Sequence, residues 1–190
     1  KGAMIIDETS QTTIQPQISL TIMNQSNGSV EALVGGRDLK TSDLSLNRAT
    51  TSTRQPGSTF KILSAFLPAL DKNHMTLGTV YDDAPYNYND SNRPVHNYYK
   101  GYKGYSTIRE AITKSMNIVA AKTISDVTPK TSFAYITKLG FSTLVSNEFT
   151  SNGNVYTDIT QSLALGGMTY GVTNMELTAA YASIANGSMY

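Results

Sequence analysis

Arg54-Gln55-Pro56-Gly57-Ser58-Thr59-Phe60-Lys61 puts a turn, a helix start, a hydroxyl and an amine into eight residues. Gln55-Pro56-Gly57 is turn chemistry, and Phe60, Ile62, Leu63, Phe66 and Leu67 after it recur with the spacing of one apolar helix face. The pattern predicts a helix that opens at Ser58 and bends or stops near Pro68, where the backbone lacks an N–H. Positions i and i+3 share a face at a helix start, so the Lys61 amine can reach the Ser58 hydroxyl. The unpaired N–H groups of the first turn and the helix dipole favour negative charge beside Ser58. A serine hydroxyl needs a base to become a nucleophile. Lysine can serve only when desolvation or nearby positive charge brings it well below its ordinary value of about 10.4. The same four residues also fit a helix-capping serine followed by a solvated lysine, and S-x-x-K alone does not separate the two.

A second constellation, Ser115-Met116-Asn117, lies between one helical pattern ending near Thr113 and another beginning near Asn117. The Ser115 hydroxyl could relay a proton between Lys61 and a leaving amine. The Asn117 amide, both donor and acceptor, could hold a peptide group. A plain helix cap is the competing reading, and Ser45-Leu46-Asn47 repeats the S-x-N spacing elsewhere in the chain.

Around these motifs the chain divides into a strand-rich beginning and a helix-rich remainder. Gln17–Met23 and Ser29–Val34 are β-prone runs joined by Asn24-Gln25-Ser26-Asn27-Gly28, in which Asn-Gly suits the positive φ of a tight hairpin turn. Gly35-Gly36-Arg37-Asp38 ends the second strand, and a Ser/Thr-rich loop extends to Thr53. The stretch from Thr79 to Tyr105, rich in Tyr, Asn, Asp and Pro, reads as irregular surface. Helical patterns cover Ser106–Thr113, Asn117–Ile124, Thr131–Leu139 and Thr173–Ala185. We therefore expect one domain portion over residues 1–190, with a hairpin and loop over 1–57 and a mainly helical part over 58–190.

Composition removes several functions. A net charge of +1 with no Lys/Arg block argues against nucleic acid as a partner. The absence of cysteine removes thiolate ligands, disulfides and Cys nucleophiles. His74 and His96, the two histidines, have no metal-ligand spacing and no nucleophile elbow nearby, so no metal or other cofactor is expected. No run approaches the roughly 20 apolar residues of a membrane span, so any anchor is expected outside this chain.

Gly35-Gly36-Arg37-Asp38, Leu46-Asn47-Arg48-Ala49 and Arg54–Lys61 resemble, in order and wording, the class A (bifunctional) penicillin-binding proteins. Arg109-Glu110-Ala111 leading to Ser115-Met116-Asn117, then Ala164-Leu165-Gly166-Gly167, and Ala180-Tyr181-Ala182 to Asn186-Gly187, are similar to later segments of that family. The likeness runs from about Leu20 onward. It implies an α/β penicilloyl-serine transferase (β-lactamase/transpeptidase-like) fold, an antiparallel sheet between helices with a helical subdomain, of which this chain is the N-terminal part. It also implies a D,D-transpeptidase with Ser58 as nucleophile, Lys61 as acylation base, Ser115 as proton relay and Asn117 contacting both the substrate amide and Lys61. The implied partners are a peptidoglycan stem peptide ending in D-Ala-D-Ala and β-lactam antibiotics. The implied location is the extracytoplasmic face of the bacterial cell membrane.

The family's third motif, Lys-Thr/Ser-Gly, is not in the sequence: Lys40-Thr41-Ser42, Lys122-Thr123-Ile124 and Lys130-Thr131-Ser132 all lack the Gly. The resemblance therefore implies truncation before that motif and a second segment or chain to carry it. A D,D-carboxypeptidase or β-lactamase is the alternative enzyme, and a non-catalytic β-lactam sensor is the alternative from another class. Glu148 and Glu176, the carboxylates one could enlist for deacylation, read as solvated side chains. The six tyrosines from Tyr86 to Tyr105 fit either an aromatic wall over a cleft or ordinary loop residues.

Overall fold

The computed structural model describes Ile5–Asp7, Thr12–Ile14 and residues 16–37, 43–149 and 153–187. Asp38, Lys40, Thr41 and Ser42, named above, lie outside the described residues. Among the described residues, eight strands pair as four two-stranded antiparallel ribbons. They are β1 (Ile5–Asp7) with β2 (Thr12–Ile14), β3 (Leu20–Met23) with β4 (Val30–Val34), β5 (Val80–Asp83) with β6 (Gly104–Thr107), and β7 (Glu148–Phe149) with β8 (Val155–Tyr156). The α-helices of the described residues are α1 (Leu67–Lys72), α2 (Ile108–Thr113), α3 (Asn117–Val127), α4 (Pro129–Thr137) and α5 (Asn174–Asn186). Among the described residues no helix is long and apolar enough to cross a membrane.

The chain forms two compact units. The first takes the described residues of Lys1–Thr53 and Thr173–Ser188, and the second those of Arg54–Val172. In the first, β3 and β4 form the hairpin expected from the two β-prone runs, with Leu20 opposite Val34 and Ile22 opposite Ala32. Gly28 takes φ 76°, the left-handed conformation its turn needs. Thr21 is buried, and its hydroxyl donates to Asn174 Oδ1 (2.7 Å) at the start of α5, which covers that face. A capping box sets the start of α5: Thr173 Oγ1 accepts from Glu176 N–H, and the Glu176 carboxylate accepts from Thr173 N–H. Glu176 is thus a capping residue rather than a free solvated carboxylate.

In the second unit the helix predicted after Gly57 does not stop at Pro68. It opens with a 3-10 turn (Gly57–Thr59), widens to a π-helical stretch (Ile62–Phe66) and continues as α1 through Pro68. Proline removes the bond that the carbonyl four residues earlier would accept. That carbonyl, on Ser64, instead accepts from the buried Ser132 hydroxyl of α4. Phe60, Leu63, Ala65, Phe66 and Ala69 are buried around this helix, and Phe60 meets Phe141 edge to face at 5.2 Å. Each large side chain so buried contributes about 1.5–3 kcal/mol. Ile118, Val119, Ala120, Ala121 and Ile124 bury α3 beside it, which makes these two helices the core of the unit.

The stretch read as irregular surface is partly ordered. β5 and β6 close it as a ribbon, Val95 packs with Ile118 and Ala121, and Asp83 is fully buried. Its polar composition hid this, because the tyrosines and asparagines bury their polar atoms against specific partners: the Gln161 amide, for example, meets Tyr86 Oη, Asn89 N–H and Ser125 Oγ.

Candidate active site

Ser58 sits in the 3-10 turn that opens the core helix, with Pro56 rather than Ser58 in the cap position. Its side chain is exposed, and among the described residues no hydrogen bond engages its hydroxyl. The turn itself is held from several directions. Arg54 and Val172 exchange both backbone hydrogen bonds (3.0 and 2.9 Å). The Gln55 amide grips Met168, with Nε2 donating to the carbonyl (2.6 Å) and Oε1 accepting from the N–H (3.0 Å). Thr59 Oγ1 donates to Pro56 O (2.7 Å). Gly166 lies against Gly57 so closely that a Cβ there would stand 2.3 Å from the Gly57 carbonyl oxygen, and its φ of 73° is left-handed. Only glycine fits both demands. The Ala164-Leu165-Gly166-Gly167 segment therefore backs the turn that carries Ser58.

Lys61, one turn on, points into the unit. It is 2% exposed, and its Nζ donates to the Ser115 carbonyl (2.6 Å) and to Ser115 Oγ (2.9 Å). Burial lowers its amine from the ordinary 10.5 to about 8, because the charged form loses hydration that no carboxylate replaces. Desolvation, one of the two routes expected from the sequence, is the cause of that lowering.

Ser115 adopts φ 47°, an uncommon conformation for a residue with a side chain. It does not cap α3. Met116 occupies the cap position with no side-chain capping bond, which leaves the Ser115 hydroxyl to Lys61. Asn117 is the first residue of α3, half buried, and its Nδ2 donates to the His96 carbonyl (2.6 Å). The structure thus joins Lys61 directly to Ser115 and places Asn117 two residues away, while no hydrogen bond links Ser58 or Asn117 to Lys61. The competing S-x-N is in the other unit, where Asn47 Oδ1 closes a local turn onto Ala49 N–H (3.1 Å). Among the described residues no group of His, Asp and Glu could hold a metal ion.

Residues the sequence reading missed surround the second motif. Asn97 Oδ1 accepts from Asn117 N–H (2.8 Å) and Ile118 N–H (3.3 Å), and Asn97 Nδ2 donates to Asp83 Oδ1 (2.7 Å). Asp83 Oδ2 accepts from Tyr99 Oη (2.7 Å) and Lys103 N–H (2.9 Å). The separations of 14 and 20 residues follow no local periodicity. The one usable signal was an apolar residue, Met116, at a helix start with no capping residue of its own.

A family model described as the penicillin binding protein transpeptidase domain matches residues 18–190. Penicillin-binding protein 1A of Streptococcus pneumoniae is 33% identical over 179 residues, covering 92% of this chain and 24% of that protein. Penicillin-binding protein 1A of Clostridium tetani is 34% identical over 184 residues, covering 91% of this chain and 22% of that protein. The chain spans about a quarter of the length of these relatives. The crystal structure of Penicillin-Binding Protein 1A from Haemophilus influenzae aligns with TM-score 0.74 and 26% identity, over 98% of this chain and 27% of that one. The mixed α/β arrangement of core helices and antiparallel ribbons is accordingly that of the penicilloyl-serine transferase fold. With the family model covering all but the first 17 residues, this chain belongs to the penicillin-binding protein transpeptidase family.

Proposed function

We propose that this chain supplies the nucleophile, base and relay of a serine D,D-transpeptidase that cross-links peptidoglycan stem peptides and is inhibited by β-lactams. The observation that carries this reading is the buried Lys61 amine, held near pKa 8 and bonded to Ser115, one helical turn after an exposed serine. Ser58 Oγ attacks the carbonyl of the penultimate D-Ala in a stem peptide ending in D-Ala-D-Ala, and neutral Lys61 takes the hydroxyl proton. The C–N bond to the terminal D-Ala then breaks, and the proton passes through Ser115 Oγ to the departing amine. The amine of a second stem attacks the ester, forms the new amide and returns Ser58 to its hydroxyl form. The Asn117 amide contacts the substrate peptide group. A β-lactam acylates the same oxygen, but its leaving group stays tethered to the acyl chain.

Both compact units belong, in this reading, to one transpeptidase domain on the extracytoplasmic face of the membrane. The sequence contains no Lys-Thr/Ser-Gly, so a segment carrying that motif completes the pocket with an oxyanion donor and a cation for the substrate carboxylate. Such a donor is typically worth about 2.7–4 kcal/mol of barrier. Against a β-lactamase, the carboxylate of Glu176 is occupied by Thr173, so it is not free to activate water.

Digestion and mass spectrometry of the chain together with the Lys-Thr/Ser-Gly segment, after labelled penicillin, test the assignment. The adduct is expected on the peptide containing Ser58 and is expected to vanish in Ser58→Ala. Label on another residue refutes the nucleophile, and rapid drug turnover instead of a lasting adduct refutes the transpeptidase.

A further inference from the structure

Helix α3 begins at Asn117 with an apolar residue, Met116, where a capping side chain would normally stand. A helix start leaves backbone N–H groups without intrahelical partners. Here the acceptor comes from 20 residues upstream: Asn97 Oδ1 takes the N–H groups of both Asn117 and Ile118. An amide can do this only if its oxygen, not its nitrogen, faces the helix. Asp83 enforces that choice, since the fully buried carboxylate accepts from Asn97 Nδ2 and is held by Tyr99 Oη and Lys103 N–H. The preceding carbonyl, on His96, takes the Asn117 side chain, so two consecutive residues grip both the backbone and the amide of Asn117. On the other side of the same turn, Ser115 in its left-handed conformation holds Lys61 through both oxygens. A residue in so sparsely populated a conformation persists only where its surroundings determine it.

We propose that Asp83 and Asn97 are positioning residues for the Ser115-Met116-Asn117 turn, with Asn97 serving as a helix cap from a distant loop and Asp83 fixing its orientation. Neither touches substrate. They act by keeping Ser115 where it meets Lys61, and this catalytic consequence rests on the function proposed above.

The two side chains permit a swap that separates this role from general stability. Asp83→Asn alone sets two amide donors against each other. Asn97→Asp alone sets two carboxylates together. In the double variant Asp83→Asn/Asn97→Asp, the amide now at position 83 donates to a carboxylate that still accepts from Asn117 and Ile118, and its oxygen still accepts from Tyr99 and Lys103. Hydrogen exchange of the segment containing Asn117 and Ile118, and the rate of acylation by a penicillin reporter, are measured in the full chain for Asn97→Ala, both single swaps and the double variant.

Asn97→Ala and each single swap are expected to speed exchange at these amides about tenfold or more. They are expected to slow acylation on the order of 10²-fold and to move its pH dependence. The double variant is expected to recover both. Unchanged protection at Asn117 and Ile118 in Asn97→Ala overturns the proposal, as does a lowered Tm with an unchanged acylation pH profile. If Asn97→Ala does not fold, the swap still decides: a double variant no better than the worse single overturns the pairing. Failure of the parent to be labelled at Ser58 with the Lys-Thr/Ser-Gly segment present refutes the function, while exchange and the swap continue to test the cap.

Discussion

Lys61 shows how burial alone can bring an amine close to neutral pH. With its amine near 8, about a tenth of it is neutral at pH 7, against less than a thousandth for an ordinary lysine. In the proposed reaction the neutral form is the base, so acylation should rise with pH through about 8 and level off above it. Stopped-flow acylation by a chromogenic β-lactam from pH 6 to pH 10 measures that limb. Lys61→Arg keeps a charge that does not titrate in this range, so the limb should disappear and the rate should fall roughly 10²–10⁴-fold. A limb that persists in the variant would assign the titration to another group. Ser115 carries the complementary lesson: its hydroxyl is free for Lys61 because Asn97 has taken over the capping.

At the scale of elements, the core helix and its neighbours explain why glycine stands at position 166. The helix start must hold Ser58 on the surface and Lys61 in the interior within one turn, and the backbone of Gly166 is the wall behind that turn. Gly166→Ala would add a Cβ at 2.3 Å from the Gly57 carbonyl and impose a left-handed conformation costing about 1–2 kcal/mol before any clash. We expect a lower Tm together with slower acylation, since relief requires Gly57 and hence Ser58 to move. Thermal unfolding and acylation of the variant check this, and a lowered Tm with acylation intact would detach Gly166 from the position of Ser58. The same helix runs on through Pro68 because its backbone widens ahead of the proline and Ser132 supplies the missing donor to Ser64. A rule for proline within one helix could not foresee a donor on another.

Across the whole molecule, the two units differ in how well they cover their own apolar surface. The helical unit buries its core helices almost completely, whereas Leu20, Ile22 and Val34 stand on one hairpin face at 47%, 50% and 42% exposure. The opposite face, with Thr21, is the one that α5 covers. An apolar sheet face left in water promotes association. The 190-residue chain on its own is therefore expected to self-associate, and Leu20→Thr/Ile22→Thr to reduce this as measured by light scattering at matched concentration. Equal scattering from both chains would show that this face does not drive association.

From the sequence by itself came the turn at Gln55-Pro56-Gly57, the β3–β4 hairpin and α2 to α5, because local chemistry encodes them through apolar period and turn residues. The wording around Ser58 and Ser115 likewise pointed to the family that the comparisons then gave. Only the tertiary structure decided that Lys61 is buried against Ser115, that Gly166 backs Gly57, and that Asp83 and Asn97 order a stretch that looked like bare loop. These features arise between residues 14 to 109 positions apart. Their hydrogen-bond partners and desolvation exist only once the chain has closed, and no local pattern of residue types carries them.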